Sequence, residues 1–151
     1  MSRQAVFHQL DRAECDAFLA SQTVGRLAFT FRDRVDIEPI HFVYQDGWIF
    51  GRTQIGTKVN VLAHHPWVAF EADSVQGLFE WQSVVVHGRI EFPDPDGSPV
   101  EREHFARAVT AFQSLVPDAF TPDDPTPGRE LAFTIAVQEI SGRAATHPES
   151  P

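Results

Sequence analysis

The chain has a single cysteine, Cys15, in 151 residues. No internal disulfide can form, so the fold must rest on its core, as expected in a reducing compartment. Positive charge is scarce too. Twelve Lys and Arg against 21 Asp and Glu give a formal net charge of −9, which argues against general nucleic-acid binding, because that function relies on excess cationic side chains. No apolar run approaches the roughly 18 residues that suggest a membrane-spanning helix. The opening MSRQAVFHQLDRAEC lacks the apolar centre of a secretory leader. A cytoplasmic protein with no membrane partner is therefore expected. Internal repeats and low-complexity segments are also missing. His64 and His65 are adjacent at a helix end and point apart, while His87 and His104 have nothing at ligand spacing, so no metal site is predicted.

What is present is core material. A hydrophobic fraction of 42%, with 13 Phe and 3 Trp, and 22% charged residues describe a globular chain. Its length fits one domain spanning residues 1–151. Asp11 and Glu14 form a capping-box pattern for a helix to about Ser21, with Cys15, Phe18 and Leu19 on its apolar face; Cys15 reads as a buried thiol. Leu27, Phe29 and Phe31 alternate as a strand. Val35 to Tyr44 reads as a second strand, with Pro39 calling for a bulge, an edge or a ligand at that point. Asp46-Gly47 marks a hairpin turn into Trp48-Ile49-Phe50. Trp67 to Ala72 and Trp81 to Phe92 follow as strands, the latter with Gly88 as a candidate bulge. Ser98-Pro99-Val100-Glu101 opens a second helix, carried on by Phe105, Ala108, Val109, Phe112 and Leu115. Pro117 to Gly128 should be an irregular surface excursion, Leu131 to Ile140 a last strand, and the residues from about 141 a flexible tail. Six short strands with peripheral helices predict a mainly β protein, a six-stranded antiparallel barrel whose closure removes exposed edges.

The densest chemistry lies between Trp48 and Phe70. Arg52, Thr53, Gly56, Thr57 and Lys58 place a guanidinium, two hydroxyls, a permissive backbone and an ammonium ahead of Val59, Val61 and Leu62 at helical spacing. With Thr57 as N-cap, the free amides of that helix start would face an anion such as a phosphate. Charge-assisted hydrogen bonds of about 1.5 to 3 kcal/mol each would outweigh the about 0.3 to 1 kcal/mol of the helix end, so Arg52 and Lys58 are expected to dominate affinity. The same spacing also allows Arg52 and Lys58 as a solvated surface pair with Thr57 a purely structural cap.

Val24-Gly25-Arg26-Leu27-Ala28, Arg52-Thr53, Gly56-Thr57-Lys58, Val68-Ala69-Phe70-Glu71 and Trp81 with Ser83 to Gly88, in this order and spacing, resemble the pyridoxamine 5'-phosphate oxidase-like split-barrel flavoproteins. The small single-domain branch, near nitroimidazole-resistance proteins and flavin or deazaflavin reductases, is the part it looks most like. The resemblance covers roughly Asp11 to Phe92, with an echo at Ile140 to Arg143. It implies a homodimer with FMN in clefts between subunits. Arg52, Thr53, Thr57 and Lys58 would hold the phosphate. Glu38, Pro39, Ile40, His41 and Phe42 would run beside the isoalloxazine ring, His41 either touching it or serving only the strand. Trp81, Gln82 and Ser83 would approach from the other subunit. It further implies an oxidoreductase passing electrons from a reduced nicotinamide or deazaflavin to a small planar acceptor. The alternatives are use of the deazaflavin F420, or a flavin- or haem-binding carrier or sensor. Two departures stand out. The Arg-x-His substrate motif of pyridoxamine phosphate oxidase itself is replaced by Gly142-Arg143-Ala144-Ala145-Thr146, and the histidine usual before the phosphate loop of nitroimidazole-resistance proteins is Gly51, a small residue expected to leave room beside the ring.

Overall fold

The computed structural model describes residues 4–147. Eleven elements follow one another: β1 (Val6–Leu10), α1 (Arg12–Ser21), β2 (Val24–Phe31), β3 (Arg34–His41), β4 (Val43–Gln45), β5 (Trp48–Thr53), α2 (Thr57–His64), β6 (Trp67–Gly77), β7 (Glu80–Glu91), α3 (Pro99–Gln113) and β8 (Leu131–Thr146). Both predicted capping boxes form. Asp11 accepts from the Glu14 amide at 2.8 Å and Glu14 accepts from the Asp11 amide at 3.0 Å; Ser98 and Glu101 repeat the exchange ahead of α3. Asp46 and Gly47 both take positive φ, 51° and 82°, the geometry of a two-residue hairpin turn matched to strand twist. The bulge expected at Gly88 lies on the partner strand instead: His87 pairs with Glu139 and Gly88 with Val137, leaving Gln138 of β8 as the extra residue, while β7 pairs with β6 there without a break.

The sheet departs from the prediction in number, and is split as the family resemblance implies. Eight strands, all paired antiparallel, run in the order β3-β2-β6-β7-β8-β5-β4, with β1 added to β8. β1 has no alternating pattern to announce it, because four of its five residues are exposed. β8 continues through Thr146, where its last residues pair with both β1 and β7; residues 141–146 are thus strand rather than tail, and 148–151 lie outside the described residues. The barrel is split, not closed. β3 and β4 are the two ends of the hydrogen-bonded order, although only Phe42 separates them in the chain. Pro39 accordingly sits on an edge strand, where its missing N–H costs no ladder bond.

Leu27, Ile49, Phe70, Val84, Val86 and Ile135 form the interior from the inward positions of the strands, joined by Leu19 of α1, Leu62 of α2 and Phe42 between β3 and β4. A smaller cluster of Phe50, Ala108, Ala111 and Ala132 seats α3 on β5 and β8. Phe42 belongs to the interior entirely. It is 0% exposed, its ring meets that of Phe70 edge-on at 4.7 Å, and its amide donates to the Thr23 carbonyl.

Candidate functional site

Where the barrel splits, a cleft of about 620 Å³ opens, within the range of small-molecule sites. One wall is the free edge of β3, from Glu38 to His41; the other is the end of β5, the loop to α2 and the start of that helix. Phe112 of α3 and Arg129, just ahead of β8, complete it.

The α2 start is open. Its cap position is Gly56, not Thr57, and no side chain bonds the first-turn amides. Thr57 is the first helical residue, exposed to the cleft with its hydroxyl free of capping duty. No acidic residue occupies the first turn, so the positive end of the helix is uncompensated there. Lys58, one residue further, reaches across to Glu38 of β3 at 2.5 Å. Its side chain is about one-quarter exposed and that of Glu38 less than half, so the pair bridges the two walls at the cleft surface.

Arg52 lines the cleft and is also held by partners far along the chain. Its guanidinium forks onto Asp124, Nη2 to Oδ1 at 3.0 Å and Nη1 to Oδ2, and also donates to Thr126 Oγ1 at 2.7 Å. The rings of Phe112 and Phe120 lie 5.1 and 5.2 Å from its central carbon. Asp124 is further fixed by the amides of Phe120 and Thr126. This guanidinium, aided by those amides, holds the Asp124 carboxyl well below its usual range. Arg52 borders the cleft, yet both terminal nitrogens are engaged by the excursion after α3, its charge is matched, and its buried Nε has no partner. Lys58, Thr53 and Thr57 line the cleft beside Arg52.

Of the remaining candidates, Glu38, Pro39, Ile40 and His41 line the cleft and Phe42 does not, for its side chain turns into the core. Trp81, Gln82 and Ser83 begin β7, opposite Ala145, Ala144 and Arg143, and do not line the cleft of their own chain. Ser83 donates to Glu71 at 3.1 Å. Gly51 leaves no space beside the cleft, since a Cβ there would stand 2.3 Å from the Phe133 ring. Arg129 went unremarked in the sequence. Its only signal is that it is a lone cation among Asp118, Asp123, Asp124 and Glu130.

An FAD-binding protein from Mesorhizobium loti superimposes with a TM-score of 0.75 at 26% identity, covering 93% of this chain and 99% of that one. The FAD binding protein of Mycobacterium smegmatis shares the fold at a TM-score of 0.63 and 24% identity, over 91% of this chain and 98% of its own. In sequence the chain is 26% identical over 145 residues to the uncharacterized protein RA0666 of Rhizobium meliloti, spanning 90% of this chain and 93% of that protein. The profile of the pyridoxamine 5'-phosphate oxidase family matches residues 11–144, and the chain belongs to that family.

Proposed function

We propose that the cleft binds a flavin, with FMN as the smallest form that fills its polar positions, and that the protein is a flavin-dependent oxidoreductase. The observation that carries this reading is the pairing of an unpartnered strand edge with an uncapped helix start across one cleft. β3 pairs only with β2, so the outer-edge backbone groups of residues 38–41 can meet the polar edge of a planar ring. The α2 amides, Thr53, Thr57 and the Lys58 ammonium suit a phosphate. The FAD-binding description of one structural neighbour, 26% identical, supports a flavin in the cleft.

The bound group would supply electron transfer, and the chain's own residues bind and orient it. Lys58 would exchange its Glu38 contact for the phosphate. The Arg52–Asp124 clasp would hold the far wall in place. A reduced nicotinamide or deazaflavin is the proposed donor and a small planar molecule such as a quinone the proposed acceptor. Pyridoxamine 5'-phosphate should be a poor substrate, as the Arg-x-His motif is missing.

A homodimer fits the outer face of the sheet. Pro39 and His41 of β3 face outward with Arg26, Ala28 and Ala69, as their register and alternation require, and Ser83 joins that face through Glu71. Val35, Ile37 and Trp67 on it are 74%, 66% and 62% exposed, and exposed apolar side chains grouped on one face are what an association surface would use. Two copies joined there would bring the partner subunit's Trp81 and its neighbours toward the β3 wall. The test is to denature the purified protein and identify the released small molecule, then follow anaerobic bleaching of the flavin band by NAD(P)H or F420H2. A protein that releases no flavin and takes none up overturns the reading. One that binds flavin without accelerated bleaching is a carrier or sensor.

A further inference from the structure

At the β1 end of the sheet's outer face, two aromatic rings stand beside small residues. Phe7 of β1 and Trp81 of β7 both pair with Ala145 of β8, so the three share one row and one face. The ring centroids are 6.3 Å apart with their planes tilted by 51°, and Phe7 is 63% exposed. With His8, Gln9, Arg143 and Ala144 they line a pocket of about 460 Å³. None of them lines the cleft that Lys58 borders. The pocket is also remote from the apolar group around Trp67, which pairs with Arg89; from residue 81 to residue 89 a strand rises about 27 Å.

The next row on that face is polar. Arg143 of β8 pairs with Gln9 on one side and Ser83 on the other. It is exposed and has no hydrogen bond, ion pair or ring contact among the described residues. The acids nearest along its row are already matched. Asp73, opposite Ser83 on β6, and Glu71 lie 3.4 and 3.2 Å from Arg26, and Ser83 itself donates to Glu71. In a chain of net charge −9, this guanidinium is therefore left for an incoming anion. Two strand positions, about 7 Å, separate it from the aromatic row. An aryl ring stacked on Trp81 spans that distance when it bears a carboxylate that accepts a charge-assisted hydrogen bond of about 2.8 Å. A bare phosphate would leave the rings uncovered, and a neutral ring would leave the guanidinium unmatched.

We propose that this pocket binds a planar aromatic carboxylate, its ring against Trp81 and Phe7 and its acidic group on Arg143 with Gln9 alongside. It is a second small-molecule site, separate from the cofactor cleft. Its role rests on the homodimer reading above, which turns Trp81 toward the partner's β3 wall. A molecule held here would then lie at the mouth of that cleft, as a substrate rather than as the cofactor.

Calorimetric titration of the full-length protein with 1-naphthoate and with the neutral 1-naphthamide tests this. Wild type should bind the carboxylate at least about tenfold more tightly than the amide, the worth of one charge-assisted contact. Arg143→Ala should remove that preference, weakening 1-naphthoate about tenfold while changing 1-naphthamide less than about twofold. Arg143→Lys should recover part of the loss. Phe7→Ala should weaken both probes together, and saturating FMN should displace neither. Unchanged thermal unfolding of the Arg143 and Phe7 variants, both altered at exposed positions, would show that the losses are local. Failure to bind either probe, equal affinity for the two, no loss in the variants, or displacement by FMN overturns the proposal and leaves the flavin reading intact. A protein that takes up no flavin yet binds 1-naphthoate through Arg143 overturns the flavin reading and leaves this site standing.

Discussion

Arg52 is clamped at its fork by Asp124 and Thr126 and flanked by two phenylalanine rings, so truncating it leaves the buried Asp124 carboxylate without its counter-charge, held only by the Phe120 and Thr126 amides. Arg52→Ala should lower the melting temperature by about 5 °C or more, as expected when a buried pair loses one partner. Lys58→Ala should leave melting nearly unchanged, because its ion pair lies at the cleft surface, and should weaken flavin binding about tenfold or more through one lost charge-assisted contact. Thermal melts beside flavin titrations separate the two roles. The clasp also has a pH signature. Asp124 is held below the ordinary carboxylate value of about 3.9, so its contribution is complete above that value and is lost as pH falls through the depressed one. Asp124→Asn should therefore be less stable than wild type at neutral pH, and the gap between them should narrow from about pH 5 downward. A gap that is constant with pH would mean that the carboxylate charge contributes nothing.

Among the elements, those set by neighbouring residues were legible and those set by distant ones were not. The two capping boxes and the Asp46-Gly47 turn depend on residues within a few positions, and each stands where the sequence put it, whereas the bulge expected at Gly88 is carried by Gln138 of the partner strand β8. β1 was invisible, since it exists only as an addition to β8 and buries little of itself. The end of β8 was read as a tail because Ser141, Gly142 and Ala145 carry weak strand preference, overridden here by partners on both sides. The site was legible in its loop and its strand edge. It was not legible in the pairing of Arg52, whose partners lie 72 and 74 positions away. Gly51 shows the same limit. Read as open space, it is the close approach of β5 to Phe133. Gly51→Ala should destabilise the protein by about 1 to 3 kcal/mol through overpacking, measured by denaturant unfolding; a neutral result would show that the Phe133 ring moves aside freely.

At the scale of the whole molecule, each cleft has only part of what the family resemblance assigns to it. Lys58 and the β3 edge line it, whereas Trp81 and Ser83 lie on the outer face and, with Gln82 between them, do not. If two copies join through that face, light scattering should give about twice 16.9 kDa, and each site should draw Lys58 from one copy and Trp81 from the other. Single variants then lose function in both sites of their own homodimers. A mixed dimer of Lys58→Ala with Trp81→Ala has one site with both defects and one with neither. After unfolding and refolding an equal mixture, random pairing should restore about a quarter of the wild-type flavin sites, although neither parent binds well alone. A mixture that binds no better than the average of its parents would mean that Trp81 and Lys58 do not meet across the dimer, and that the protein holds its cofactor within a single chain.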